Sequence, residues 1–354
     1  MSTETLTAPT RSEPVARPGF WRGMLWLTWR QHRWQIIAGT AVTVGMLLWM
    51  ISTAHEITSA LAQCPDGLCA SAVVRDIQQP HLDHGYSFAT YELNTVTFLP
   101  VGLGLFWGVP LLAREYEQRT LMLAWSQDVS PLKWLLSKLA ILGAVAAVLG
   151  TALAAESEHL VYLAHLAGRR SLFEGTLFQG GGWLPLTLGL AWFAFGVAVG
   201  TVARRMLPAL AIVLAAFIGR TVLMIRYRGD FMSPLSVMKG LGVLPSKGGA
   251  APNPVVSNDM SLGSAFADAA GHAIPQGQQV LDSCIGGYQQ PGKPTNAYLT
   301  HCMQQHGVVG VMNQYQPASR MGTFHFIENG LNLSLLILSL AVTWWFVRRA
   351  STTT

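Results

Sequence analysis

A group of charged side chains lies between two apolar runs of this sequence, over residues 114–134. Opposite charges there stand three to five residues apart, which is typical of a short surface helix stabilised by ion pairs. The candidate residues of this segment are Arg114, Glu115, Glu117, Arg119, Thr120, Trp125 and Gln127. Ser130 and Pro131 then supply the start signal of a further helix. Side chains of these types can pair with one another or dock a partner.

Catalytic and metal-binding constellations are not predicted. The chain has no G-x-x-x-x-G-K-S/T phosphate loop and no Ser/His/Asp arrangement on one element, so we expect it not to hydrolyse ATP alone. Histidines cluster around His81 and His84 and around His301 and His306. Their spacing fits no familiar closed metal site, and Cys302 is predicted to form a disulfide instead of binding a metal. We therefore expect no catalytic residue, metal site or cofactor bound by this chain.

The composition indicates a membrane protein. Charged residues make up 12% of the chain, against about 25% in a soluble domain. Hydrophobic residues reach 51% and the mean hydropathy is +0.34. The net charge of +5 is compatible with nucleic-acid binding, but the basic residues sit at the ends of apolar runs, which argues against nucleic acid as a partner.

Six apolar runs are long enough for transmembrane helices, which need roughly 20 residues. They cover residues 34–55, 93–113, 134–155, 182–203, 206–225 and 329–347. Pro100 and Pro110 predict a kink in the second run. The glycine pairs Gly104–Gly108 and Gly196–Gly200 favour close helix packing. The predicted fold class is an all-α polytopic membrane protein with about six transmembrane helices.

The lysine and arginine positions predict that both termini are cytoplasmic. Residues 1–18 read as a disordered cytoplasmic tail, residues 35–225 hold spans one to five, and residues 329–354 hold span six and a second cytoplasmic tail. Residues 226–328 are too long for an idle connection, so they are predicted to form an outer domain between spans five and six.

All four cysteines fall in segments that this topology places outside, where disulfides persist. Four cysteines allow three pairings, and four free thiols remain an alternative. The local choice is Cys64–Cys69 with Cys284–Cys302, since each pair closes a loop within one segment.

Arg220 lies within the fifth apolar run. An intramembrane charge is by default a functional candidate. Its position near the outer end of span five favours an interfacial anchor that snorkels to the headgroups.

At the N-terminus, tryptophans mixed with arginines predict an interfacial elbow helix over residues 19–34. Its candidate residues are Trp26, Trp29, Arg30 and Arg33. A role as a plain anchor and a role in coupling both remain open.

Three regions together resemble the membrane subunits of ABC-2-type exporters, in particular the actinobacterial permeases. The first is the acidic pair and threonine at Glu115, Glu117 and Thr120 with the Ser-Pro-Leu-Lys-Trp start of span three; the others are the 24–33 elbow and the entry and exit of span six at 316–328 and 344–349. They follow the order and the topological positions of that family.

The resemblance implies a permease without its own nucleotide-binding motif, in the cytoplasmic (inner) cell membrane. ATP and Mg would be bound by a separate ABC ATPase subunit, and a second permease copy would complete a homodimer or heterodimer. The 114–138 loop would couple to the ATPase, and an amphipathic, drug-like or lipid-like substrate would move outward. The alternative is a non-transporting membrane sensor or envelope scaffold whose outer domain binds a ligand.

Overall fold

The structure is a computed structural model that describes residues 20–62, 88–118, 130–168, 171–173, 175–241, 259–288 and 295–352. Predictions on the 1–18 tail, on Cys64 and Cys69, and on Arg119, Thr120, Trp125 and Gln127 lie outside the described residues. The helices are α1 (Phe20–Ala62), α2 (Phe88–Leu103), α3 (Val109–Glu117), α4 (Pro131–Gly168), α5 (Gly175–Gly180), α6 (Leu184–Ala203), α7 (Met206–Tyr227), α8 (Gly277–Gly286), α9 (Asn296–Gln305) and α10 (Met321–Thr352). The strands are β1 (Leu235–Gly240), β2 (Met260–Ala267) and β3 (Gly310–Gln316).

The described part of the chain contains six helical segments long and apolar enough to cross a membrane. They are span one (Leu25–Ser59), span two (Leu93–Glu117), span three (Leu132–Leu166), span four (Leu184–Ala203), span five (Met206–Phe231) and span six (Ala318–Arg349). Each coincides with one of the predicted apolar runs, so the prediction of an all-α polytopic membrane protein is confirmed.

The N-terminal segment differs from its prediction. Residues 19–34 were expected to form a separate interfacial elbow, but α1 is continuous over 43 residues, about 64 Å of helix at 1.5 Å per residue. No proline interrupts it, and the Arg30 guanidinium lies 5.2 Å from the Trp26 ring one turn away. The tryptophan-rich segment therefore extends span one instead of turning away from it.

Span four is the centre of the helix bundle and packs against spans two, three, five and six. Close approach to span two depends on the two predicted glycine pairs. A Cβ atom at Gly104 would lie 2.8 Å from the carbonyl oxygen of Trp192, and one at Gly200 would lie 2.7 Å from that of Val109. Any side chain at these positions would push the two backbones apart, so the packing interpretation of these glycines holds.

Span two is interrupted by a π-helical turn at Gly104–Gly108, between Pro100 and Pro110. The disturbance predicted from the prolines thus takes the form of a widened turn. Such a turn weakens the regular backbone ladder, and a side chain from span one compensates: Gln35 Nε2 donates to the carbonyl oxygen of Phe106 at 3.1 Å.

An α/β module lies between spans five and six. Its sheet is antiparallel with the order β1-β3-β2. Helices α8 and α9 cover a core that contains Phe266, Leu281, Leu299, Met303 and Val311. The predicted Cys284–Cys302 disulfide joins α8 to α9. The prediction of a separate domain here did not include a sheet.

Candidate functional site

Spans two and three meet at the end of the bundle where α3 stops and α4 begins, called here the loop end. Glu115 Oε1 accepts a hydrogen bond from Lys138 Nζ at 2.6 Å, and the Lys138 side chain is fully buried. The ammonium also lies 4.1 Å from the centre of the Trp134 ring. Glu115 Oε2 is buried without a hydrogen-bond partner among the described residues. Glu115, Lys138 and Trp134 form the loop-end cluster.

Glu117, one turn beyond Arg114, ties span two to span five. Its Oε1 accepts a hydrogen bond from the backbone N–H of Met206 at 2.8 Å. Arg204 adopts a left-handed conformation with φ of 54°, which ends α6 and lets α7 begin at Met206. The first N–H groups of α7 have no partner inside the helix, so the carboxylate of Glu117 satisfies one of them across the interface.

The structure thus places the predicted coupling residues in separate contacts. Glu115 and Glu117 bind different helices, and neither pairs with Arg114 in the described part of the chain. The Arg114 side chain is exposed and lines a cavity.

That cavity has a volume of about 750 Å³ and lies among spans one to four, with Met206 of span five at one end. Its walls are largely apolar. Arg114 is the one charged side chain among the lining residues described, and Gln35 and Thr43 add an amide and a hydroxyl. The Gln35 amide is held on both sides, by Phe106 O and by His32 Nδ1 at 2.7 Å from Gln35 Oε1. The residues along the cavity include Trp34, Gly39, Val96, Leu99, Gly102, Phe106, Trp107, Leu149, Gly150, Leu153, Pro185 and Leu186.

A second polar cluster lies towards the α/β module and is centred on Glu328 of span six, whose side chain is 1% exposed. Arg228 Nε donates to Glu328 Oε1 at 2.7 Å. Arg220 Nη2 donates to Glu328 Oε2 at 3.4 Å. Both carboxylate oxygens therefore have a cationic partner. Glu328, Arg220 and Arg228 form the module-end cluster.

The position of Arg220 corrects the interpretation as a snorkelling anchor. Its side chain is 17% exposed and points into the bundle, where it also donates to Asn332 Oδ1 at 3.3 Å. Asn332 in turn donates to Thr187 Oγ1 of span four at 3.2 Å. A buried carboxylate in reach stabilises the guanidinium better than a move to the headgroups, because the pair is also satisfied by hydrogen bonds.

Side-chain hydrogen bonds join the turn that follows span five to the module. Gln316 Nε2 donates to the carbonyl oxygens of Gly229 and Met232 at 3.0 and 2.6 Å. Arg320 Nη1 donates to Gln316 Oε1 at 2.7 Å. The last strand of the module is thus held against the turn that follows span five.

The sequence analysis singled out Glu115, Glu117 and Arg220 but missed Glu328 as the partner of Arg220. The two residues are 108 positions apart, so no local spacing shows their pairing. The one signal in the sequence was that an acidic residue, Glu328, directly precedes the apolar run of span six.

One group of possible metal ligands occurs in the described residues: Cys284, Cys302 and His306 lie within 4.8 Å of one another. The two sulfur atoms bond to each other. They are therefore not thiolates, the form in which cysteine binds metal.

Six spans, with charged side chains turned inward at both ends of the bundle, define a multi-pass integral membrane protein. Residues 37–228 match the family model described as ABC-2 membrane transporter related, which is more than half of the chain. The chain belongs to this family, as its resemblance implied, and is a membrane permease of an ABC transporter that works with an ABC ATPase subunit. No curated protein and no solved structure matches the chain.

Proposed function

We propose that this permease is an exporter that moves an amphipathic, drug-like or lipid-like molecule outward. The cavity among spans one to four carries the proposal. Its volume of about 750 Å³ falls in the range of roughly 300–1,000 Å³ typical of small-molecule sites. Apolar walls with a charged side chain at one end and a few other polar groups suit a molecule that has both an apolar and a polar part.

In the proposed orientation the loop end is cytoplasmic, both termini lie inside, and the module lies outside the cell membrane. Arg204, Arg205, Arg348 and Arg349 stand at the loop end, as the positive-inside rule requires. The Cys284–Cys302 disulfide suits the oxidising side. A membrane-impermeant maleimide added to intact cells after mild reduction should label Cys284 or Cys302, of which Cys302 is the more exposed. Labelling only after lysis would reverse the orientation.

Energy enters, in this proposal, from a separate ATPase that holds the ATP and Mg²⁺, with two permease copies in the complete transporter. The 114–138 loop would dock the ATPase through Trp125. Its movement would reach spans two and three through Glu115–Lys138 and span five through Glu117–Met206. Glu117→Ala and Trp125→Ala should therefore leave the permease inserted but abolish substrate-stimulated ATP hydrolysis by the complex. Normal stimulation in both variants would remove the loop from the coupling path.

Filling the cavity tests the transport function itself. A Cβ atom at Gly102 would meet no atom within 4 Å, and Gly102 lines the cavity. Gly102→Leu should therefore place its side chain in the cavity without disturbing the helices, and it should reduce transport and substrate-stimulated ATP hydrolysis.

Gly219→Leu is the matched control, because a Cβ atom at Gly219 also meets nothing within 4 Å and the residue lies outside the cavity. Both variants should elute with the ATPase like the wild type. Wild-type transport by Gly102→Leu would exclude this cavity as the substrate site.

A further inference from the structure

We propose that the cavity selects an amphiphile with an anionic head group, which Arg114 binds at the loop end while the apolar tail lies along spans one, two and four. This inference rests on the proposed function and names the substrate class of the same site. It is carried by two observations: Arg114 is the one charged side chain among the described lining residues, and no acidic side chain pairs with it in the described part of the chain.

The cavity is elongated, and its one charged lining side chain among the described residues, Arg114, lies at one end. Arg114 and Val96 both line it and lie 18 residues apart on span two, about 27 Å for a helix. Met206, whose N–H binds Glu117, stands near the Arg114 end, and Gln35 lies at the level of Phe106. Leu153 packs in the same core as Val96, at the other end. A single charge at one end of a long and largely apolar cavity matches a molecule with one head group and a long apolar tail.

The charge of Arg114 is not neutralised by its neighbours. Glu115 binds Lys138, and Glu117 binds the N–H of Met206. No ion pair in the described part of the chain includes Arg114.

Gln35 is a weaker candidate for the head-group ligand than Arg114. Its Nε2 donates to Phe106 O and its Oε1 contacts His32 Nδ1, which leaves one neutral N–H donor. The guanidinium of Arg114 is charged, and a guanidinium binds phosphate or carboxylate oxygens in a bidentate manner.

The test uses two photoactivatable probes of equal chain length, a diazirine-bearing alkyl phosphate and its alkyl trimethylammonium counterpart. The full chain is reconstituted in zwitterionic phosphatidylcholine vesicles and irradiated, and cross-linked cavity residues are quantified by mass spectrometry. The phosphate probe should label the cavity about tenfold more than the ammonium probe, as expected for one charge-assisted contact.

Arg114→Gln should reduce this preference to about one, because Gln keeps a donor but loses the charge. Arg205→Gln removes an exposed arginine at the same end but outside the cavity lining, and it should retain the preference. Gly102→Leu should lower labelling by both probes.

Equal labelling of the wild-type cavity by both probes, still blocked by Gly102→Leu, would overturn the anionic preference and leave the exporter proposal in place. Labelling of the cavity by neither probe would overturn both proposals. A preference for phosphate that survives in Arg114→Gln would assign the selection to another residue and overturn the role of Arg114.

Discussion

The loop-end and module-end clusters both place a carboxylate against a cation inside the helix bundle, but they differ in how completely the carboxylate is satisfied. Glu328 has an arginine on each oxygen. Glu115 uses Oε1 for Lys138 and leaves Oε2 buried without a partner in the described structure. The Glu115 side chain is 16% exposed and that of Glu328 is 1% exposed.

The clusters also differ in what they join. Glu115 and Lys138 connect neighbouring spans on either side of one loop, 23 residues apart. Glu328 connects span six to span five and to the turn at Arg228, across about 100 residues of chain that include the module. Arg228 Nη2 is also buried without a hydrogen-bond partner in the described structure, so each cluster has one unused polar atom. The difference lies in the carboxylate, because one whose two oxygens are both bonded to cations is more constrained than one with an unused oxygen. We infer that the module end is a fixed anchor and the loop end is the part that moves.

The largest expected effect follows from removing the module-end carboxylate. Glu328→Gln leaves Arg228, which is 5% exposed, and Arg220 without a counter-charge, and such a loss costs about 3–5 kcal/mol in buried pairs. Thermal unfolding of the purified permease should show a strongly lowered midpoint and a low yield.

Glu156→Gln is the control, since Glu156 pairs with an exposed histidine, His159, at 3.4 Å. It should change the free energy of unfolding by less than about 1 kcal/mol. An unchanged midpoint in Glu328→Gln would contradict the anchor interpretation.

A smaller effect on stability, but a larger one on coupling, is expected at the loop end. Glu115→Gln leaves the fully buried Lys138 with a neutral acceptor, at a cost of about 1–3 kcal/mol. Substrate-stimulated ATP hydrolysis by the permease–ATPase complex should fall while basal hydrolysis is retained.

The double variant Glu115→Gln/Lys138→Met separates the two effects. Removing both charges should restore stability, because an apolar replacement of a buried pair is often neutral, but it should not restore coupling. Recovery of stimulated hydrolysis in the double variant would show that the pair only stabilises the fold.

The smallest effect is expected at an exposed carboxylate of the module. Backbone N–H groups of His272 and Ala270 donate to Asp268 Oδ1 at 2.9 Å each. The hydrogen bond from His272 is the main cause that lowers the pKa of Asp268 below its usual value. Because the folded pKa lies below that of the unfolded chain, about 3.9, the stabilisation is present above about pH 4 and is lost as the pH falls through the folded pKa.

Asp268→Asn keeps a neutral acceptor for the turn, so it should flatten the acid side of the module's pH–stability profile without changing the neutral value greatly. The exposed Asp282→Asn is the control. The profile can be followed by hydrogen exchange of β2 and α8. An acid limb of unchanged slope in Asp268→Asn would assign the pH dependence to other groups.

The sequence predicted those parts of the molecule whose signals are local. The six apolar runs were sufficient to predict the six spans, and the short separation of Cys284 and Cys302 in sequence favoured a disulfide between them. The glycine pairs predicted close helix packing, which the structure places between spans two and four. Each of these signals lies within a few turns of helix or one loop.

The parts that sequence did not predict depend on distant residues. Arg220 pairs with Glu328 across 108 residues of chain that include the module. The π-helical turn is supported by Gln35, 71 residues away from Phe106. In the sheet, β2 is rich in serine, glycine and alanine and has an irregularity between Ser261 and Gly263, so its strand propensity is weak. The predicted boundary between the elbow and span one is not seen in the continuous helix α1. Tryptophan and arginine side chains are compatible with a continuing helix as well as with a separate interfacial one.

The distribution of glycines determines where the permease can carry a reporter group. At Gly108 an added Cβ atom would collide with the carbonyl group of Phe193, and at Gly196 with that of Gly104. At Gly45 of span one and Gly219 of span five the added atom meets open space. Spin labels or fluorophores on cysteines at these two positions would therefore report distances between the spans during the transport cycle without separating the central pair of helices.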